Sequence, residues 1–158
     1  MEMEWYKKYF EQLYRGQAKM FGNWELKIMI KESKKQLDEC EQKIDDLKLG
    51  LERLDAQIQG YQEKTKEKEA NLKYRMKKIK ENEKELRKTK RGREYIKNTE
   101  ELAELIEYRK KKLKEKLRTR LKLLSDIRRM EAYIWDSKTA IDIFQSELER
   151  RMKAKSKK

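Results

Sequence analysis

Basic side chains are concentrated in the second half of the chain, most densely in residues 109–122. That segment contains nine Lys or Arg residues and a single acid, Glu115. Residues 64–93 are also basic, with 14 Lys or Arg residues against 5 acids. Such surfaces bind phosphate or carboxylate groups through charge, with strong salt dependence and little sequence preference. The first chemistry that the sequence indicates is therefore the binding of an anionic partner.

The charge is unevenly distributed along the chain. The formal net charge is +14, yet residues 1–62 hold 11 basic residues against 12 acids, whereas residues 63–158 hold 33 against 18. The anionic partner could be an acidic protein surface, a nucleic acid or anionic lipid. Alternatively, the lysines only keep long helices in solution, with Glu–Lys pairs one turn apart supporting the helix.

Catalytic and metal-binding motifs are missing from the sequence. The chain has no histidine and one cysteine, Cys40, so an intrachain disulfide or a cysteine-based zinc site is not expected. We find no Gly-rich phosphate loop and no nucleophile with a plausible base. The sequence therefore predicts a protein that is not an enzyme and uses no metal or cofactor.

Targeting signals are also missing. The start of the sequence, Met1-Glu2-Met3-Glu4, lacks the charged-then-apolar pattern of a signal peptide. No apolar run approaches the roughly 18 residues that a membrane span needs. We expect a soluble, intracellular, cytoplasmic protein without a membrane span.

Long helices are the elements that must position the basic residues. Charged residues make up 47% of the chain and hydrophobic ones 36%, and proline is absent. Good helix formers dominate, so long helices that bury a narrow seam fit better than disorder. A heptad repeat, in which apolar residues are alternately three and four residues apart, also indicates long helices. Its members are Leu26, Ile30, Leu37, Cys40, Ile44, Leu47, Leu51, Leu54, Ile58, Tyr61, Thr65, Leu72, Met76, Ile79 and Leu86.

A second seam follows in the last third of the chain. Arg109, Lys116 and Arg120 fall where its apolar residues would be expected, so the seam is weak around residues 109–120. Its apolar members are Leu102, Ile106, Leu113, Leu123, Ile127, Met130, Ile134, Ile141, Phe144 and Leu148.

Stop and start signals lie between the two seams. Gly92 follows a turn of basic residues, which are favourable at a helix C-terminus, and a glycine there can adopt the left-handed conformation that caps the helix. Asn98 has Glu101 three residues later, a variant of the capping box. Together they predict a turn at 92–98 and an antiparallel hairpin. A continuous helix that dimerises in parallel is the alternative, because one helical glycine costs only about 1 kcal/mol.

A bend near Tyr95 predicts that facing residues have numbers that add to about 190. This pairing is expected to bring the basic residues of 73–88 near those of 109–120, so that they meet at the tip of the hairpin. The predicted partner-binding residues are Lys73, Lys77, Lys80, Arg87, Lys88, Arg91, Arg93, Arg109, Lys110, Lys111, Lys112, Lys116, Arg118 and Arg120.

Aromatic residues distinguish the first 24 residues. Gly16 and Gly22 interrupt the pattern before the long helix begins, so a short amphipathic helix is expected. This helix either packs on Tyr133, Trp135 and Phe144 or docks in a groove of a partner. A membrane-surface role is less favoured, because Glu2, Glu4 and Glu11 offset the basic residues of this segment. The predicted docking residues are Trp5, Tyr9, Phe10 and Leu13.

The layout resembles the flagellar and type III export stalk proteins, which are basic antiparallel hairpins that engage an ATPase ring. The resemblance implies a role as an assembly factor or chaperone. The Arg93-Glu94-Tyr95 turn before a Leu/Ile seam is similar to bacterial coiled-coil proteins that end in a zinc ribbon. Ribbon cysteines are absent here, so no zinc site is carried over.

The sequence thus predicts an all-α fold, a long antiparallel helical hairpin (a two-stranded coiled coil) with a short N-terminal amphipathic aromatic helix. We expect residues 1–24 to form that helix, 25–91 the first arm, 92–98 the turn, and 99–158 the second arm with a basic C-terminal tail. The expected function is that of a structural or adaptor protein whose basic tip binds an acidic macromolecular partner. The alternatives are a sequence-nonspecific nucleic-acid-binding or packaging protein and an export-stalk-like assembly factor; homo-oligomers are also possible.

Overall fold

Three helices account for almost the whole chain. The computed structural model describes residues 2–157, with side chains from Trp5 onward, and 97% of the chain is helical. The helices are α1 (Glu2–Met20), α2 (Asn23–Lys88) and α3 (Lys90–Ser156), and the described residues include no strand. This confirms the all-α class, the hairpin of two long helices and the short N-terminal helix. Over the described residues, none of the three helices has a stretch long and apolar enough to cross a bilayer.

Packing divides the chain into two units. The first unit consists of Met1–Lys48 and Ser125–Lys158, and the second consists of Leu49–Leu124. In each unit a part of α2 packs against a part of α3, and α1 belongs to the first. The residues of both predicted heptad seams are buried or half-buried in the structure, with the exception of Met76, which is 58% exposed.

The first unit has an aromatic core where all three helices meet. Leu26 and Phe144 are completely buried and share a cluster with Ala18, Ile30 and Ala140. Two aromatic rings extend this cluster: the ring centroids of Tyr14 and Phe21 lie 5.8 and 6.3 Å from that of Phe144. The aromatic helix therefore packs on α3, as one of the two sequence-based alternatives expected.

Arg151 ties the three helices of the first unit together. From α3 its guanidinium donates to the carbonyl oxygen of Ala18 at 2.9 Å, near the end of α1, and to Asn23 Oδ1 at 3.0 Å, where α2 begins. Glu147 holds it at 3.0 Å, and Glu147 also pairs with Arg150 at 2.7 Å. Hydrogen bonds from Arg150 and Arg151 lower the pKa of Glu147 to about 2, against the raising effect of burial. The carboxylate is thus charged when it orients the Arg151 fork.

The second unit has a much thinner core. Of its residues, all of which are described, Ile58 and Ile106 are the buried apolar side chains, and Thr65 and Thr99 are buried beside them. Each threonine hydroxyl donates to the carbonyl oxygen four residues earlier, at 2.7 and 2.8 Å, so its hydrogen is satisfied within its own helix. Polar side chains therefore complete the seam in this unit.

The turn between α2 and α3 is a single residue, Thr89. Its hydroxyl oxygen accepts a hydrogen bond at 3.0 Å from the backbone N–H of Gly92, which makes Thr89 the N-cap of α3. Arg93 donates to the carbonyl oxygen of Arg87 at 3.1 Å and so satisfies one of the last carbonyls of α2. Both helix ends are capped within seven residues.

The predicted turn at 92–98 is therefore wrong. Gly92 lies in the first turn of α3, and among the described residues no glycine has a positive φ, so it is not a left-handed cap. A Cβ at this position would lie 1.8 Å from the carbonyl oxygen of Leu86. Glycine is needed here because the two backbones touch. Asn98 and Glu101 lie inside α3 and cap nothing.

The early turn changes the register of the hairpin. In the second unit Asp55 contacts Arg120, Thr65 contacts Arg109 and Glu69 contacts Lys110, so the numbers of facing residues add to about 175. The predicted value near 190 was wrong because it followed from a bend at Tyr95. Close to the turn, α2 is also kinked at Asn82 (φ −129°, ψ 23°), whose side chain donates to the carbonyl oxygen of Lys78 at 3.3 Å.

Replacing Gly92 tests the close approach. We expect Gly92→Ala to lower the free energy of unfolding by more than about 2 kcal/mol, because a methyl group cannot fit against the Leu86 carbonyl without moving the backbone. Gly60→Ala is the matched control, since a Cβ there meets nothing within 4 Å. It should stabilise the helix by about 0.5–1 kcal/mol. Urea unfolding followed by circular dichroism measures both, and equal effects would contradict the turn described here.

Candidate binding surfaces

The position of the turn decides which basic residues meet. Because facing numbers add to about 175, residues 109–120 lie opposite residues 55–66 and not opposite 73–88. Lys73 and Lys110 border one shared groove, beside Glu69 and Glu107. The juxtaposition of all the predicted basic residues in one dense tip is therefore wrong, and they fall into groups with different surroundings.

One group is built into the seam of the second unit. The guanidinium of Arg109 stacks on Tyr61, 4.0 Å from the ring centroid, and donates to Thr65 Oγ1 at 3.0 Å and to the Tyr61 carbonyl oxygen at 3.3 Å. Lys116 approaches the same ring, with Nζ 5.7 Å from its centroid. Both side chains are half-buried. They act as packing groups, with the charge facing an aromatic π system.

A second group forms ion pairs between the helices. Arg120 Nε lies 2.7 Å from Asp55 Oδ1, and Lys110 Nζ lies 3.7 Å from Glu69 Oε1. The side chains of Arg120 and Asp55 are 38% and 44% exposed, so solvent screens the attraction and each pair adds at most about 1 kcal/mol. These pairs help to define the register more than they add stability.

A third group pairs within its own helix. Arg87 pairs with Glu83 at 2.9 Å, Lys88 with Glu85 at 3.4 Å and Lys112 with Glu115 at 3.4 Å. The negative charge of Glu115 raises the pKa of Lys112, so that lysine stays protonated. All three pairs are on the surface and are screened by salt. Arg93, as described above, caps α2.

The remaining residues of the predicted partner-binding set are exposed and make no ion pair among the described residues. They include Lys77 and Arg91, and Lys80, which borders a groove near the turn. The most regular set is on α3, at Lys111, Lys114, Arg118 and Lys122, and we call it the basic stripe. Its spacing of three, four and four residues puts all four side chains on one helical face, roughly opposite the seam. The acids closest to it, Glu107 and Glu115, are paired with Lys110 and Lys112.

Sequence reasoning missed two members of the basic stripe, Lys114 and Lys122. Their helical spacing from Lys111 and Arg118 is the signal that could have found them, because it separates the outer face of α3 from the seam. It also missed that Tyr61 stacks with Arg109 and that Asp55 pairs with Arg120, because both contacts depend on the register.

The aromatic residues predicted to dock are divided between two faces of α1. Phe10 is half-buried among rings of its own helix, with its ring centroid 4.5 Å from that of Tyr6 and 6.2 Å from that of Tyr14. Trp5, Tyr9 and Leu13 are exposed, by 67%, 57% and 40%. The four residues predicted to dock are therefore not equally accessible, and these three are the exposed ones.

Comparison of the chain with protein-family models, curated proteins and solved structures gave no match. The chemistry of these surfaces therefore rests on their own side chains. Lysine and arginine on an exposed helical face can bind carboxylate or phosphate groups by charge-assisted hydrogen bonds.

Unfolding experiments can distinguish the cations that pack in the seam from those that are exposed. We expect Arg109→Gln to lower the free energy of unfolding by about 1–3 kcal/mol, because it removes the stacking on Tyr61 and two hydrogen bonds. Lys111→Gln is the matched control, and its effect should stay within about 0.5 kcal/mol. Urea denaturation of both variants gives the comparison. Similar losses for the two would show that Arg109 is not part of the seam.

Proposed function

We propose that this chain is a non-enzymatic structural or adaptor protein that binds an acidic protein surface through the basic stripe on α3. The observation that carries the proposal is which basic side chains of residues 109–122 are engaged in packing and which are exposed. Arg109, Lys116 and Arg120 are engaged inside the hairpin, whereas Lys111, Lys114, Arg118 and Lys122 stand exposed on one face without ion pairs among the described residues.

The spacing of the basic stripe favours a helical partner. Four cations within 12 residues of a helix cover about 16 Å of its length. An acidic helix placed alongside can present carboxylates at the same three-and-four spacing, so several ion pairs form in parallel. Each pair is weak alone, and several together give a specific orientation.

Nucleic acid is the second anionic partner that the charge allows. Binding of single strands usually adds base stacking on a row of aromatic side chains to the attraction of phosphates. In the second unit, Arg109 stacks on the ring of Tyr61, and Arg75 and Lys78 approach the ring of Tyr95. Tyr74 and Tyr108 are 65% and 57% exposed, but they lie on different helices and do not form a row. We therefore favour the acidic protein surface.

The test measures binding to poly-L-glutamate, with a DNA duplex of similar charge as the second ligand, over a series of salt concentrations. The variant Lys111→Gln/Lys114→Gln/Arg118→Gln/Lys122→Gln should bind poly-L-glutamate at least about tenfold more weakly and with a flatter salt dependence. Helicity should not change, because these side chains face solvent.

The control variant is Lys27→Gln/Lys31→Gln/Lys34→Gln/Lys35→Gln, which removes the same charge from exposed positions of α2. We expect it to retain most of the affinity. Equal losses in both variants would mean that net charge, and not the basic stripe, causes binding. Tight binding of the duplex with no binding of poly-L-glutamate would replace the proposal by the nucleic-acid alternative.

A further inference from the structure

α1 carries two apolar faces, and the fold covers one of them. Tyr6 and Tyr14 contact α3: the centroid of the Tyr6 ring lies 6.5 Å from that of Trp135, and that of Tyr14 lies 5.8 Å from that of Phe144. The Tyr14 hydroxyl donates to the Asp136 carboxylate, and burial, with that hydrogen bond, raises the pKa of Tyr14. These contacts hold α1 in one orientation and so determine which side chains face away.

The uncovered face bears four large apolar side chains in line. Trp5, Tyr9, Leu13 and Met20 are 67%, 57%, 40% and 85% exposed, and we call them the aromatic stripe. Their spacing of four, four and seven residues places them on one side of the helix, over about 22 Å. A continuous apolar stripe on a soluble surface usually marks a binding site.

The edge of the aromatic stripe is basic. Lys8, Arg15 and Lys19 follow one another at seven and four residues along the same flank, and all three are exposed. Arg15 and Lys19 border a cleft that also holds Asp142 and Glu147, but Glu147 is already bound by Arg150 and Arg151. Glu11 is half-buried and faces away from the aromatic stripe, beside Lys8 and Arg15, which lie three and four residues from it.

We infer from this combination that the aromatic stripe binds the surface of an anionic phospholipid bilayer, with α1 lying parallel to it. Tryptophan and tyrosine favour the headgroup level, where the ring is in an apolar layer and its polar atom is hydrated. Leu13 and Met20 reach the acyl boundary, while Lys8 and Lys19 meet lipid phosphates and carboxylates.

Charge argues against a second copy of the chain as the occupant. In an antiparallel, two-fold pairing of aromatic stripes, the same flank of each helix meets, so Lys8 and Lys19 of both copies would be brought together. An anionic surface has the opposite effect, because it attracts the flank that a second copy would repel. The lipid surface is therefore the occupant that satisfies both the apolar face and its edge.

The experiment is flotation of the full chain with vesicles of phosphatidylcholine, with and without phosphatidylserine. We expect the wild type to float with the phosphatidylserine vesicles and to bind the neutral ones at least about tenfold more weakly. Tyr9→Ser/Leu13→Ser should reduce partitioning about tenfold or more, because it removes two apolar groups from the bilayer. Lys8→Gln/Lys19→Gln should reduce it about thirtyfold, since each of the two lysines near an anionic surface contributes about 1 kcal/mol.

The matched control for the apolar change is Tyr74→Ser/Leu121→Ser, two side chains that are each 65% exposed and lie outside α1. It should bind as the wild type does, and circular dichroism should show unchanged helicity in all variants.

Equal binding by Tyr9→Ser/Leu13→Ser and the wild type would overturn the proposal and assign lipid binding to other cations. The proposal also fails if vesicles are not bound while sedimentation shows a dimer that this variant abolishes. No residue of the basic stripe is involved, so this result and that of the proposed function are independent.

Discussion

The contact between Gly92 and the carbonyl of Leu86 is the constraint on which the rest of the hairpin depends. It lets α3 begin one residue after α2 ends, with Thr89 and Arg93 capping the two helices. The heptad seams cannot set the register by themselves. Moving the bend by seven residues shifts the facing residues by about two heptads, and apolar positions then meet again. The turn therefore selects one register from several that would bury similar seams.

Helical periodicity was sufficient to predict the helices and the residues they bury. Leu26, Ile44, Ile106 and Phe144 are inside as their spacing required, and the absence of proline agrees with the length of the helices, of which α2 is kinked at Asn82. The turn could not be located in the same way. A glycine after basic residues fits a left-handed cap as well as it fits a close backbone contact, and Thr89 has no Glu three residues later to mark it as an N-cap. The predicted register failed for this single reason.

The sequence was sufficient to predict where basic residues are concentrated, but not which residues they contact. The sequence gives the density of cations in residues 109–122, and it indicates that Arg109, Lys116 and Arg120 interrupt the seam. It cannot show that Tyr61 and Asp55 receive them, because those partners depend on the register. In the thin core of the second unit, cations replace apolar residues and are held by stacking and hydrogen bonds. The cations that do not take part in packing remain exposed. In α1, Tyr6 and Tyr14 contact α3, whereas Trp5, Tyr9 and Leu13 are exposed.

The most direct test is a pair of distances measured by electron paramagnetic resonance between spin labels, in a Cys40→Ala background. One sample carries labels at positions 69 and 110, and the other at positions 69 and 121. The register set at Thr89 predicts the shorter distance for 69 and 110, below about 20 Å, since Glu69 and Lys110 form an ion pair. Position 121 lies 11 residues further along α3, about 16 Å away along the axis. A shorter distance for 69 and 121 would place the bend near Tyr95 and contradict the assignment of cations to the seam and to the surface.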